Sequence, residues 1–393
     1  MITRTYLILI ATLVLSSVQA QTSLEKILAE VQKNNKSLLS ERQYWESQKL
    51  SYKTGLNPDN PKAEFDYMIG SPEGAGNQRD IVITQGFDFP TAYGKRKNVS
   101  EEQIIQSDIQ LNAYRQQIIL EAKLLCLEFI YRNKLQSQLN QRLENANRLL
   151  EATNRKTEQG ESNILDLNKI KLLQLDIKNQ VDLNSTALKT EQHKLDEMNG
   201  GNPLDLSQLD YSVLSVLPPF EVLDSLIESN DPVVKAVKQE REITKEQVAL
   251  SKSLSLPKVE GGYHQQAILG QKYQGFHVGM TIPLWENKNR IKTQQARLTH
   301  NELQIQEHRT KHYFENKLLY EQYLHWQNTF SEYQTILTSA NNEQLLSKAL
   351  EHGELSLIEY LMEVRYFYDA VGRLLEAEHK LHQSIAALYK FQL

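Results

Sequence analysis

Cysteine is almost absent. Cys126 is the only one in 393 residues, so no internal disulfide staples the chain, and a lone cysteine inside a helical pattern reads as a small packing residue. Glycine and proline together number only 26, and they are gathered into patches rather than spread. A strong excess of charge of either sign is missing too. The net charge is -5, without the basic footprint that nucleic-acid binding requires. Beyond the N-terminus no apolar run is long enough for a transmembrane helix. No Ser/His/Asp constellation, phosphate loop or paired catalytic carboxylate stands out, so the sequence offers no catalytic residue and calls for no cofactor.

Residues 1–20 read as a secretory signal peptide. Arg4 supplies the positive end, Leu7 to Val18 the apolar stretch, and Val18-Gln19-Ala20 the small residues a signal peptidase reads. An uncleaved anchor is the alternative. No cysteine follows the apolar stretch, so a lipid anchor on a mature N-terminal cysteine is not expected.

The spaces between the breakers are long. Lys95 to Gln159 spans 65 residues without glycine or proline, Trp285 to His352 spans 68, and Glu161 to Asn199 spans 39. Uninterrupted segments of this length, rich in Leu, Glu, Gln, Lys and Asn, predict very long helices of coiled-coil or helical-barrel type; 65 helical residues would reach about 100 Å. Ile170, Leu173, Ile177, Val181 and Leu188 fall near one face at helical periodicity. Phe314, Leu318 and the aromatics from Tyr320 to Phe330 read as packing between helices.

The breaker patches repeat. Gly86 and Gly279, Pro90 and Pro283, and Gly160 and Gly353 are each 193 apart, while Asn34 and Asn230, or Pro61 and Pro257, are 196 apart. The local text agrees: Gly86-Phe-Asp-Phe-Pro90 against Gly279-Met-Thr-Ile-Pro283. The expected organisation is therefore repeat 1 over 21–200, a linker over 201–219, and repeat 2 over 220–393. Each repeat holds a β-hairpin between helices, with strands near 62–70 and 80–90, and near 257–268 and 273–283. Their residues alternate. Phe65, Tyr67, Ile83, Phe87, Phe276 and Val278 form the apolar set expected to face lipid. Glu64, Asp66, Glu260, His264 and His277 lie on the opposite, polar side. Strands of this length suit a tilted membrane crossing, although a soluble four-stranded sheet would alternate as well. Four strands cannot close a membrane barrel, whose smallest examples have about eight, and an open edge in lipid leaves backbone groups unpaired. If these strands meet lipid, several chains must share one barrel.

An export signal, two helix–hairpin–helix repeats, a proline ending each hairpin and glycine-marked turns together resemble the TolC family of outer-membrane efflux proteins, over nearly all of the mature chain. The resemblance implies a mainly α fold with a small β part: a long α-helical barrel, and a four-strand share of an oligomeric transmembrane β-barrel. It implies a homotrimer in the bacterial outer membrane with its helical barrel in the periplasm, docking on a periplasmic adaptor (membrane fusion) protein and an inner-membrane pump of resistance-nodulation-division type. Outer-membrane lipid is the surrounding partner and nucleic acid is not one. The short chain and missing lipid anchor look closest to the heavy-metal cation efflux branch. A periplasmic adaptor or coiled-coil scaffold, and a type I secretion outlet, remain alternatives.

Two turns join the long helices, at 158–163 and 351–356. Gly160 and Gly353 suit the left-handed residue that ends a helix, and Ser162 and Ser356 the cap that starts the next. Plain hairpin turns explain these four residues; adaptor docking at the tips is the functional reading, since turns often carry function. Six residues after each glycine stands an acid, Asp166 and Glu359. The resemblance places such acids at the narrow periplasmic aperture, where symmetry would make each a ring of like charge favouring cations; a solvated helix acid is the plain alternative. Met362 replaces a second aperture acid of the family, with Glu363 beside it. The pairs His308/His312 and His379/His382 share helix faces but lack the glutamate of a zinc-protease motif, so no metal site is assigned and they read as surface residues.

Overall fold

A computed structural model describes the backbone of residues 23–214, 216–339 and 342–393. The expected export signal, residues 1–20, lies outside the described residues. The helices are α1 over residues 23–34, α2 Lys36–Tyr52, α3 Pro90–Glu158, α4 Ile164–Met198, α5 Phe220–Asn230, α6 Pro232–Ser253, α7 Arg290–Ser339, α8 Asn342–Glu351 and α9 Leu357–Leu388. The strands are β1 Lys62–Met68, β2 Gln78–Phe87, β3 Lys258–Ile268 and β4 Gln271–Thr281. Among the described residues no helix is long and apolar enough to cross a membrane.

The element order runs twice through a helix pair, a hairpin and long helices, and local chemistry shows why. Asn35 Oδ1 accepts the Leu38 N–H at 2.9 Å and starts α2. At the position 196 residues on, Asp231 caps α6 by accepting the Val233 N–H at 2.7 Å, with Pro232 in the first turn where its missing N–H costs nothing. Pro90 opens α3. Pro283, its partner by spacing, does not open α7. Residues 284–289 make a turn first, held by Asn287 Nδ2 donating to the Leu254 carbonyl at 2.9 Å. Asn289 there takes a left-handed φ of 65° that a short amide side chain tolerates. The hairpins differ also. Leu269 and Gly270 alone join β3 to β4, both at positive φ as a tight two-residue hairpin turn requires, whereas residues 69–77 join β1 to β2.

The chain forms two compact units, each drawing on both sequence repeats. The first takes the described residues up to Leu39, Tyr114–Asn230 and His312–Leu393. One of its cores gathers Leu24, Ile27 and Val31 of α1, Cys126 and Ile130 of α3, Leu195 of α4 and Ala386 of α9. Another gathers Leu223 and Ile227 of α5, Tyr323 of α7, and Leu381 and Leu388 of α9. The expected linker, 201–219, has no regular structure among its described residues but is firmly packed: Leu204, Leu206 and Leu209 enter the first core and Leu217 the second. Each such leucine contributes roughly 1.5–3 kcal/mol of burial. The aromatics of α7 divide. Tyr323 is fully buried with Tyr320, Trp326 and Phe330 around it, but Phe314 and Leu318, expected in helix packing, are exposed.

The second unit, Ser40–Ala113 with Asp231–Lys311, holds the sheet and the helices that enter and leave it. Glu246 of α6 receives both Lys95 Nζ and Asn98 Nδ2 of α3 at 3.1 Å, and Asn301 of α7 donates to Thr244 Oγ1 of α6 at 2.7 Å.

Candidate functional site

All four strands form one antiparallel sheet in the order β1-β2-β3-β4, so pairing of β2 with β3 joins the hairpins of the two repeats. Residues directly opposite one another in antiparallel strands project to the same side, and the register therefore sorts the side chains. Ala63, Ile83, Tyr263 and Phe276 make one rank across the sheet. Phe65 pairs with Ile81, Tyr67 with Arg79, Phe87 with Val259 and Val259 with Met280, and Val278 opposes Gly261. All six residues expected to face lipid thus share one side with this rank. That side is uncovered: Phe276 is 94% and Val278 84% exposed. Three glutamines that the alternation did not pick out, Gln85, Gln265 and Gln274, share it, with Tyr263 Oη donating to Gln274 Oε1 at 3.0 Å. Arg79 and Lys272 stand toward its loop end, the Arg79 guanidinium 5.7 Å from the centre of the Tyr67 ring.

The other side is polar. It carries Lys62, Glu64, Asp66, Asp80, Lys258, Glu260, His264 and His277. His264 Nε2 lies 3.9 Å from Asp80 Oδ2, and His277 Nε2 lies 3.4 Å from Glu260 Oε1. Among the described residues β1 and β4 each pair with a single neighbour, leaving both sheet edges open. An eleven-residue edge such as β4, paired on one side only, is a template for another strand.

The tip turns are built as the glycines suggest, with one correction. Gly160 has φ 76° and Gly353 φ 72°. Glu161 N–H reaches the Lys156 carbonyl and Glu354 N–H the Ala349 carbonyl, both at 2.8 Å, which closes the ends of α3 and α8 in a glycine-terminated cap. Ser356 caps α9 as expected, but Ser162 does not cap α4. Asn163 does, its Oδ1 accepting the Leu165 N–H at 3.0 Å. Both Ser and Asn make good caps, and the helix starts one residue later than the serine would set it.

Both candidate aperture acids occupy the third position of their helices, where the dipole favours a negative charge. Asp166 Oδ1 sits 3.1 Å from Lys169 Nζ. Glu359 closes a capping box: its Oε2 accepts the Ser356 N–H at 2.8 Å while Ser356 Oγ accepts the Glu359 N–H at 3.3 Å. The Ser356 hydroxyl, followed by its backbone N–H, holds the Glu359 carboxyl below the usual carboxylate range. The Ser-x-x-Glu spacing of 356–359 is the legible signal for this box.

His379 and His382, expected at the surface, are buried in the first unit. The spacing that puts them on one face of α9 puts that face inward, against α3 and the packed segment 201–219. His379 Nε2 is 2.9 Å from Glu128 Oε2, its Nδ1 is 3.2 Å from Tyr211 Oη, and the Tyr131 ring stacks on it. His382 stacks on Tyr211 with ring centres 4.2 Å apart. Lys134 Nζ lies over the Tyr211 ring, 4.5 Å from its centre, and pairs with Glu378 at 3.0 Å. Burial pushes the Cys126 thiol up to about 12, so it stays an inert packing group.

No family model matches the chain, and no curated protein matches it in sequence. Solved structures do match it in fold. The CmeC outer membrane channel of Campylobacter jejuni superposes with a TM-score of 0.71 at 15% identity, over 94% of this chain and 85% of that one. The outer membrane protein VceC of Vibrio cholerae gives 0.72 at 12% identity, over 94% and 96%. The open state of the MtrE outer membrane channel of Neisseria gonorrhoeae gives 0.69 at 14% identity, over 94% and 88%. The fold is TolC-like, mainly α with a small four-stranded antiparallel sheet.

Proposed function

We propose that this TolC-like chain is the outer-membrane channel subunit of an efflux assembly, passively conducting substrate from an inner-membrane pump and a periplasmic adaptor to the exterior. The observation that carries the proposal is the sheet: an exposed apolar side, a charged opposite side and two open edges on four strands. In water that arrangement exposes apolar surface and unpaired backbone together. In a bilayer it is satisfied when β1 of one chain pairs with β4 of the next and the ring closes. Three copies would supply twelve strands, enough for a barrel with a wet interior. The polar side then lines the lumen and the apolar side meets lipid. The helical remainder lies in the periplasm.

Within this reading Asp166 and Glu359 contribute acid rings at the periplasmic aperture, and the tips at Gly160, Ser162, Gly353 and Ser356 dock the adaptor. The test is fractionation and gel migration of the full-length protein. Outer-membrane recovery and an unheated band that runs as a trimer support the channel. A monomer released with the soluble periplasmic contents would end it.

A further inference from the structure

Resting on that channel reading, we infer that His264 and His277 make the pore's charge selectivity depend on pH, through their pairing with Asp80 and Glu260 on the polar side of the sheet. The strand register places every charged group of that side in order. Glu64 and Val82 share a rank with His264 and Gly275; Lys62 and Thr84 share one with Gly262 and His277; Asp66 and Asp80 share one with Gln266 and Tyr273; and Glu260 lies between Gly86 and Gly279. At the helix end Lys258 lies 3.8 Å from Asp88 and 3.6 Å from Glu286.

Four carboxylates stand against two lysines within the strands of this side, a net charge of -2 while both histidines are neutral. With both protonated the net is zero. Three chains around one lumen multiply the difference, and low-dielectric walls focus the field of such a ring. Histidine is the side chain whose charge ordinarily changes between pH 5 and 8. Each imidazole here faces a carboxylate at salt-bridge distance, so proton uptake cancels a wall charge where the permeating ion meets it. Neutral glycines at 262, 275 and 279 surround the two rings, leaving them open to the lumen rather than screened by bulk. The strand-lined part of the lumen therefore favours cations at neutral pH and loses its share of that preference in acid, on top of whatever the aperture acids Asp166 and Glu359 contribute.

The test is the reversal potential of the reconstituted full chain in a planar bilayer under a potassium chloride gradient, at about pH 8 and about pH 5.5. The wild type is expected to be cation-selective at the higher pH and to fall several-fold toward equal permeability at the lower. H264Q/H277Q should keep the high-pH ratio at both, and H264K/H277K should show the low-pH ratio at both. A conducting wild type whose ratio does not move, or one that moves equally with H264Q/H277Q, overturns the inference and leaves the channel intact. A chain that inserts no conductance at either pH overturns the channel reading, and the inference with it.

Discussion

Glu128 and Tyr211 form a polar network with the buried imidazoles of His379 and His382. His379 first, and then Arg132, hold the Glu128 carboxyl at about 2 against the opposing effect of burial. Burial pulls His382 from 6.5 down to about 4; Lys134, His379 and Lys123 push the same way and Asp210 opposes them. The folded protein keeps His382 neutral, while the unfolded chain takes up a proton once the pH drops below 6.5. Stability should therefore fall as pH drops from about 6.5 to about 4, by at most ~3 kcal/mol. Glu128 adds a further loss below its unfolded value of 4.5, which runs down to about 2. The melting temperature of the solubilised protein against pH checks this: His382→Phe, which keeps the stack on Tyr211, should flatten the upper window, and an unchanged slope would remove His382 from the account. The caps give a second residue-scale prediction. Asn163→Ala should cost about 1 kcal/mol and speed amide exchange in the first turn of α4, whereas Ser162→Ala should leave that exchange alone. The reverse pattern would restore the serine as cap.

At the scale of elements, the decisive object is the sheet surface rather than any strand alone. Phe276 and Ile83 belong to one rank on the apolar side. Phe276→Arg or Ile83→Arg should impair membrane assembly by about 2–4 kcal/mol if the rank lies at mid-bilayer. The same change at Gly275, one residue from Phe276 but on the opposite side, should assemble normally. Equal defects at the two neighbours would mean the sheet does not separate lipid from lumen. The alternation of residues made the two sides legible without coordinates. The start of α7 was not legible, because Pro283 looks like Pro90 in spacing. Only the hydrogen bond from Asn287 and the left-handed Asn289 give the second repeat its extra turn.

For the whole molecule, the proposed ring of three chains closed through the open sheet edges makes a prediction about the number of partners. Cysteine pairs introduced along β1 and β4, with Cys126 replaced by Ser, should cross-link into a ladder that ends at three chains on a non-reducing gel. A ladder that continued upward, or stopped at two, would reject the closed twelve-strand ring. Removing charge at the tips belongs to this scale as well. Asp166→Ala and Glu359→Ala should each change the conductance or the closed-state leak in planar bilayers, with Glu359→Ala also loosening the start of α9 through loss of its capping box. Unchanged traces in both would strip these acids of an aperture role and leave them as first-turn helix acids.

Long glycine-free and proline-free segments, two matched breaker patches and period-two strands were enough to specify helices, hairpins and a repeated plan, because those features follow from local backbone sterics and from which residues shun water. Tertiary structure decided what spacing cannot carry. His379 and His382 face inward because α9 meets α3 there, and the leucines of 201–219 pack rather than dangle because two apolar cores lie within their reach. Hydrophobic periodicity names the face that must be hidden; which surface hides it depends on contacts between residues far apart in the chain.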